Sequence, residues 1–230
     1  MSTPSSLATI ERQTGPNPAA SVIVLHGLGA DGNDFVPFVQ ELDLAGVGDV
    51  RFVFPHAPTR PVTINGGHVM RAWYDILGSQ LERREDEAGL RESQALVEAL
   101  ITREKKRGVP ASRIVLAGFS QGCAMTLMTG LRHGERLAGL VGLSGYLPLA
   151  AKAEAERHGA NASTPIFLAH GTHDGVIPIA LARASRDALA KLGHDVEWHE
   201  YAMQHSVCLE EVQHLGQWLQ ERLRTGLSPE

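Results

Sequence analysis

Residues 113–122 read R-I-V-L-A-G-F-S-Q-G, and this stretch decides the fold. The run 113–119 is short and largely apolar, the pattern of a strand buried on both faces in a parallel sheet. A helical pattern follows over 121–133. Between the two, Gly118-Phe119-Ser120-Gln121-Gly122 has the form G-x-S-x-G, which suits a sharp strand-to-helix turn. Glycines are needed there because the turn brings backbone and neighbouring elements too close for a Cβ. The turn lifts the Ser120 hydroxyl above the sheet edge at a helix N-terminus, which favours developing negative charge. Ser120 is thereby a candidate nucleophile. On its own the string is weak, since a glycine-rich turn with an incidental serine gives the same match.

Working outward, apolar runs at 21–26 (S-V-I-V-L-H), 50–55, 137–143 and 166–170 resemble the first, and 196–201 is more polar and so nearer a sheet edge. Helical patterns lie near 34–44, 88–107, 121–133, 148–158, 178–192 and 206–224. The last is the clearest, with Cys208, Val212, Leu215 and Leu219 on one stripe. Alternating strands and helices predict an α/β protein with a doubly wound, mostly parallel sheet and helices on both faces, in one domain spanning 1–230. In such sheets ligands bind at the carboxyl ends of strands.

A serine hydroxyl is a poor nucleophile at neutral pH and needs a base, which in turn needs an orienting acid. In this architecture the acid and the histidine follow the serine on later strand ends. After 166–170 comes Gly171-Thr172-His173-Asp174-Gly175, which puts Asp174 at the correct rim; Asp187 lies within a helix and Asp195 precedes a strand. After 196–201 comes Ala202-Met203-Gln204-His205-Ser206, and His205 alone among the eleven histidines occupies that loop. Ser206 is the expected cap of the final helix.

Attack on a carbonyl creates an oxyanion that preorganised N–H donors must hold. One expected donor is the amide of Gln121, the residue after the nucleophile. The other is Leu28, between two glycines in His26-Gly27-Leu28-Gly29-Ala30-Asp31-Gly32, with its side chain bordering the acyl pocket. That loop also reads G-x-G-x-x-G, as in dinucleotide sites. Such a site expects an acid about 20 residues on, at the end of the next strand. The next strand ends Val53-Phe54-Pro55-His56-Ala57-Pro58 instead, so no cofactor is expected. His170, His173 and Asp174 have metal-like spacing without a further convergent ligand, and a structural role suits His170 better.

The composition is that of a globular chain, 43% hydrophobic and 20% charged over 230 residues. A net charge of −5 argues against nucleic acid or an anionic membrane as partner. The basic run 103–107 ends a helical segment, where cations complement a helix C-terminus. No apolar stretch is long enough to span a bilayer, so no integral membrane association is expected. The opening Met-Ser-Thr-Pro-Ser-Ser has no leader-like features, and the two cysteines, Cys123 and Cys208, form no framework. A cytoplasmic location with reduced thiols is the expectation.

Seven collinear stretches carry a family resemblance: L-H-G-L-G-A-D-G (25–32), F-P-H-A-P (54–58), A-W-Y-D (72–75), G-F-S-Q-G (118–122), L-S-G-Y-L-P (143–148), H-G-T-H-D-G-V-I-P (170–178) and Q-H-S-V (204–207). Together they resemble the phospholipase/carboxylesterase family of α/β-hydrolases, which includes carboxylesterases, acyl-protein thioesterases and lysophospholipases. The resemblance implies Ser120, Asp174 and His205 as a catalytic triad, Leu28 and Gln121 as oxyanion donors, a small-molecule ester substrate, and allows a homodimer. Cys123 departs from the Gly or Ala usual in relatives. Trp73, in the long irregular stretch 59–86, is expected to border the acyl site, the alternative being a plug in the core. The stretch between 143 and 166 is too short for a large cap domain. The expected activity is hydrolysis of short- to medium-chain carboxylic esters; the alternatives are a thioesterase or lysophospholipase for longer chains, and a non-catalytic binding scaffold.

Overall fold

A computed structural model describes residues 7–78 and 85–224; the opening hexapeptide and residues 79–84 of the long stretch lie outside the described residues. Seven strands form one sheet: β1 (Thr9–Gln13), β2 (Ala20–Leu25), β3 (Val50–Pro55), β6 (Ile114–Phe119), β7 (Gly139–Leu143), β8 (Ile166–Gly171) and β9 (Val196–Tyr201). Their spatial order is β1-β3-β2-β6-β7-β8-β9. Only β1 runs antiparallel, against β3; the other pairs are parallel. β2, β3, β7 and β8 are buried along their whole length, as parallel strands covered on both faces must be. β9 closes one edge and alternates towards solvent, as its polarity predicts.

Side-chain alternation divides the core in two. Ile23, Leu25, Ile114 and Leu116 face α2 (Glu87–Lys106) and α3 (Gln121–Arg132), packing on Leu90, Val97, Ile101 and Met125. Val22, Val24, Phe52, Phe54, Val115 and Ala117 face the other way and pack with Val212, Leu215 and Leu219 of α6 (Leu209–Leu223). The chain leaves β2 for β3 on one side and returns to β6 on the other. The switch point between β2 and β6 is therefore where an α/β sheet opens a crevice, and it is where Ser120 sits.

Several elements differ from the sequence expectation. The helix expected over 34–44 is only α1 (Phe38–Glu41), because Pro37 lacks a donor and the Asp31 carboxylate takes the Asn33 amide at 2.7 Å in a turn. The irregular stretch 59–86 contains a hairpin, β4 (Thr59–Val62) with β5 (His68–Arg71), joined through Gly66 and Gly67 at positive φ. β1 was not expected at all. α4 (Ala150–Glu156) and α5 (Ile179–Lys191) match within two residues. α6 starts after Cys208, not Ser206, and has no side-chain cap.

The basic run does more than complement a helix end. Arg107 grips both oxygens of Glu11 on β1 at 2.8 and 2.9 Å, and Arg103 reaches the same carboxylate at 3.2 Å. Beneath them the fully buried Glu104 accepts from Arg51 and Ser21, both at 2.8 Å, which ties α2 to β3 and β2. No large cap separates β7 from β8: α4 and one short 3-10 turn (Gly159–Asn161) fill the connection. No helix among the described residues is long and apolar enough to cross a membrane.

Candidate active site

β6 delivers Ser120 on a backbone with φ 56° and ψ −116°, a conformation a serine adopts only when its surroundings impose it. Two glycines make the imposition sterically feasible. A Cβ on Gly118 would stand 2.1 Å from the Gly122 carbonyl oxygen, and one on Gly122 would stand 2.0 Å from that of Leu25. The Ser120 amide is held by the Leu143 carbonyl at 2.9 Å, anchoring the turn to β7.

β8 and β9 bring the two partners. Their loops are laced by Thr172 N–H to the Tyr201 carbonyl at 2.8 Å and His173 N–H to the Met203 carbonyl at 3.0 Å. His205 Nε2 lies 3.0 Å from Ser120 Oγ, and His205 Nδ1 lies 2.7 Å from Asp174 Oδ2. Asp174 Oδ1 accepts the amides of Val176 and Ile177, both at 2.8 Å. The Asp174 side chain is fully buried, and that of His205 is 17% exposed. A carboxylate can only accept, so His205 Nδ1 carries the proton and Nε2 is left to accept from the serine. The Phe119 ring packs on the imidazole with centroids 4.7 Å apart, and Phe35 backs Phe119 at 5.7 Å.

His170 supports this group from behind. It is fully buried; its Nε2–H donates to the Ile177 carbonyl at 2.8 Å and lies 3.4 Å from Asp174 Oδ2. Burial depresses its pKa below the usual imidazole range, so it stands neutral at pH 7. His173 points outward beside Thr172 Oγ1 at 3.3 Å, and no group of three His, Cys, Asp or Glu side chains converges as a metal site among the described residues.

Leu28 and Gln121 both line the cavity that opens on Ser120 and His205, about 540 Å³ in volume. Its walls are mostly apolar, with Ile64 from the hairpin, Ile76, Val176, Ile177 and Leu181. Gln121 is the first residue of α3, so its amide has no partner within the helix. The Leu28 amide has no backbone partner among the described residues.

Trp73 does not border the cavity as expected. It is wholly buried behind it, because an interior indole N–H must find an acceptor and this one finds the His26 carbonyl at 2.9 Å. Two contributors escaped the sequence reading, the Gln121 side chain and the His26 ring. The first was hidden because G-x-S-x-G leaves its fourth position free. The second was hidden because a histidine at a strand end carries no signal of its partners.

Comparison with known proteins points to one family. The phospholipase/carboxylesterase family model matches residues 7–223. Acyl-protein thioesterase 1 of Yarrowia lipolytica is 41% identical over 210 residues, covering 89% of this chain and 92% of that protein. Its Neurospora crassa counterpart is 43% identical over 213 residues, covering 89% and 87%. Among solved structures, Arabidopsis thaliana SOBER1 superposes with a TM-score of 0.84 at 29% identity, covering 89% of this chain and 99% of that one. Zea mays acyl-protein thioesterase 2 superposes with 0.82 at 30% identity, covering 94% and 99%. The chain thus belongs to the phospholipase/carboxylesterase family of α/β-hydrolases and is a serine hydrolase.

Proposed function

We propose that this hydrolase cleaves acyl thioesters, and the corresponding oxygen esters, with acyl chains longer than the short and medium ones the sequence alone suggested. The observation that carries the proposal is the apolar cavity of about 540 Å³ running from Ser120 along Ile64, Ile76 and Leu181, larger than a short acyl group needs. Curated relatives named acyl-protein thioesterase 1 support the same substrate class.

In the proposed reaction His205 Nε2 takes the Ser120 proton as Oγ attacks the acyl carbonyl. The Leu28 and Gln121 amides hold the oxyanion, where prepositioned donors act most strongly. Collapse expels the thiol or alcohol, which takes its proton from His205. Water then enters, gives its proton to His205 and attacks the acyl-enzyme, releasing the acid and restoring Ser120. Asp174 keeps the imidazole in the required tautomer and stabilises its protonated form.

The test is kcat/KM over a chain-length series of matched thioesters and oxygen esters, with Ser120→Ala as the control. Expected are a rise from butyryl towards longer acyl groups, higher values for thioesters, and loss of activity in Ser120→Ala by several orders of magnitude. A maximum at acetyl or butyryl with no thioester gain would return the protein to a short-chain carboxylesterase. Full activity in Ser120→Ala would remove the acyl-enzyme.

A further inference from the structure

The two amides read above as oxyanion donors belong to different elements, Leu28 to the loop after β2 and Gln121 to the start of α3. Nothing within either element fixes the distance between them. The short segment Arg71–Tyr74, which runs on from the end of β5, touches both. On one flank of Leu28, Gly29 N–H donates to the Arg71 carbonyl at 2.9 Å. On the other, the Trp73 indole N–H donates to the His26 carbonyl at 2.9 Å. From the far side the Gln121 side chain grips the same segment: Oε1 accepts the Trp73 amide at 3.0 Å, and Nε2–H donates to the Tyr74 carbonyl at 3.0 Å. The residue whose main-chain amide is one donor therefore holds, through its side chain, the segment that holds the other.

The surroundings lock this arrangement. Trp73 is fully buried and Gln121 is 4% exposed, so the bonds these two side chains make do not compete freely with solvent. Ser93 Oγ, from α2, donates to the Trp73 carbonyl. The His26 ring, 5.5 Å from the indole, accepts the Ala57 amide at Nε2 (3.0 Å), so its Nδ1–H donates to the Gly27 carbonyl at 2.7 Å. Burial lowers the His26 pKa, which keeps Nε2 unprotonated and able to accept.

We infer that Trp73 and the Gln121 side chain are positioning residues of the oxyanion hole, acting through Arg71–Tyr74 as a strut that sets the spacing of the Leu28 and Gln121 amides. The inference rests on the serine-hydrolase mechanism proposed above. Oxyanion donors act only within about 2.7–3.1 Å of the developing charge. A strut that slackens spoils the transition state more than the substrate complex, so its loss falls on kcat and spares KM.

Trp73→Phe keeps an aromatic ring in the cavity wall's backing and removes the indole donor together with part of the ring volume. Gln121→Met keeps the length and the main-chain amide and removes both side-chain bonds. Removing a whole oxyanion donor costs about 10²–10³ in kcat, so a displaced one is expected to cost about 10- to 100-fold. KM for p-nitrophenyl butyrate should stay within about twofold. A trifluoromethyl ketone inhibitor, whose adduct places an oxyanion in the same hole, should weaken by the factor lost in kcat. The pH midpoint of kcat/KM should not move, because Asp174 and His205 are untouched. Folded Trp73→Phe or Gln121→Met protein with wild-type kcat and inhibitor affinity overturns the strut, as does a loss confined to KM. If Trp73→Phe fails to fold, Gln121→Met decides. Wild-type protein that cleaves neither esters nor thioesters overturns the enzyme mechanism instead, a result distinct from failure of the strut.

Discussion

Gly122→Ala tests how the fold sets the turn that carries Ser120, the proposed nucleophile. A Cβ at this position would lie 2.0 Å from the Leu25 carbonyl oxygen, 2.5 Å from its carbon and 2.9 Å from the His26 oxygen. Ordinary contact begins at 3.4 Å, so about 1.4 Å of separation must be found between α3 and the end of β2. All three clashing atoms are backbone, and Leu25 is paired in register with Gly118 of β6. The displacement therefore falls on the Ser120 turn or on the Leu28 loop, and either moves Ser120 relative to a proposed oxyanion donor. Misplacement by about 1 Å can cost about 10² in rate. Overpacking of this kind costs about 1–3 kcal/mol, or roughly 2–12 °C in Tm for a chain of this size. Expected, then, are kcat/KM for p-nitrophenyl butyrate down about 100-fold and a lowered Tm by differential scanning fluorimetry. Gly134→Ala, where an added Cβ meets nothing within 4 Å, is the control and should match wild type in both. A Gly122→Ala protein with wild-type Tm and activity within threefold would refute the steric account of the turn.

Asp174→Asn should lower kcat by about 10⁴, the drop seen for the same change in protease triads. The amide –NH₂ must face either the Val176 and Ile177 donors or His205 Nδ1, and the latter forces the imidazole proton onto Nε2, where it can no longer accept from Ser120; activity within tenfold of wild type would contradict this. Glu211, fully buried at the start of α6, has its pKa pushed up to about 8, with desolvation opposed only weakly by the Cys208 backbone. The folded state thus keeps a proton that the unfolded chain loses near 4.5, so its stabilising effect is complete below that pH and disappears as pH rises through about 8. Glu211→Gln should flatten that decline, leaving the variant more stable than wild type by a few kcal/mol at pH 8.5 and little changed at pH 5, on the order allowed by linkage. Parallel Tm-against-pH curves for the two proteins would show that Glu211 is not the group responsible.

Much of the architecture was legible because its signals are local. Parallel strands buried on both faces must be apolar throughout, so five of the seven sheet strands stood out as runs such as 50–55 and 166–170. The polar sixth, β9, declared itself an edge for the same reason. β1 did not, because T-I-E-R-Q is short, half-exposed, and joins the sheet through antiparallel pairing with β3 and the grip of Arg107 on Glu11. The β4–β5 hairpin was masked by Pro61 and by four-residue strands too short for a period to show. Its Asn65-Gly66-Gly67 turn was the one signal that could have found it.

By itself the sequence determined the class of fold, the three groups that meet at the strand ends and their order along the chain. It could do so because a strand-to-helix turn needs glycine at set positions and because parallel strands all present their carboxyl ends at one rim. Tertiary structure alone decided what those groups touch. Trp73 is buried with its indole on the His26 carbonyl instead of forming a pocket wall, the Gln121 side chain bonds the main chain of Trp73 and Tyr74, and His170 lies behind Asp174 with its Nε2–H on the Ile177 carbonyl. The reason is physical: a buried polar atom must find its partner wherever packing leaves one, and that partner stands 47 or 48 residues away along the chain for Trp73. No local pattern encodes such a pairing.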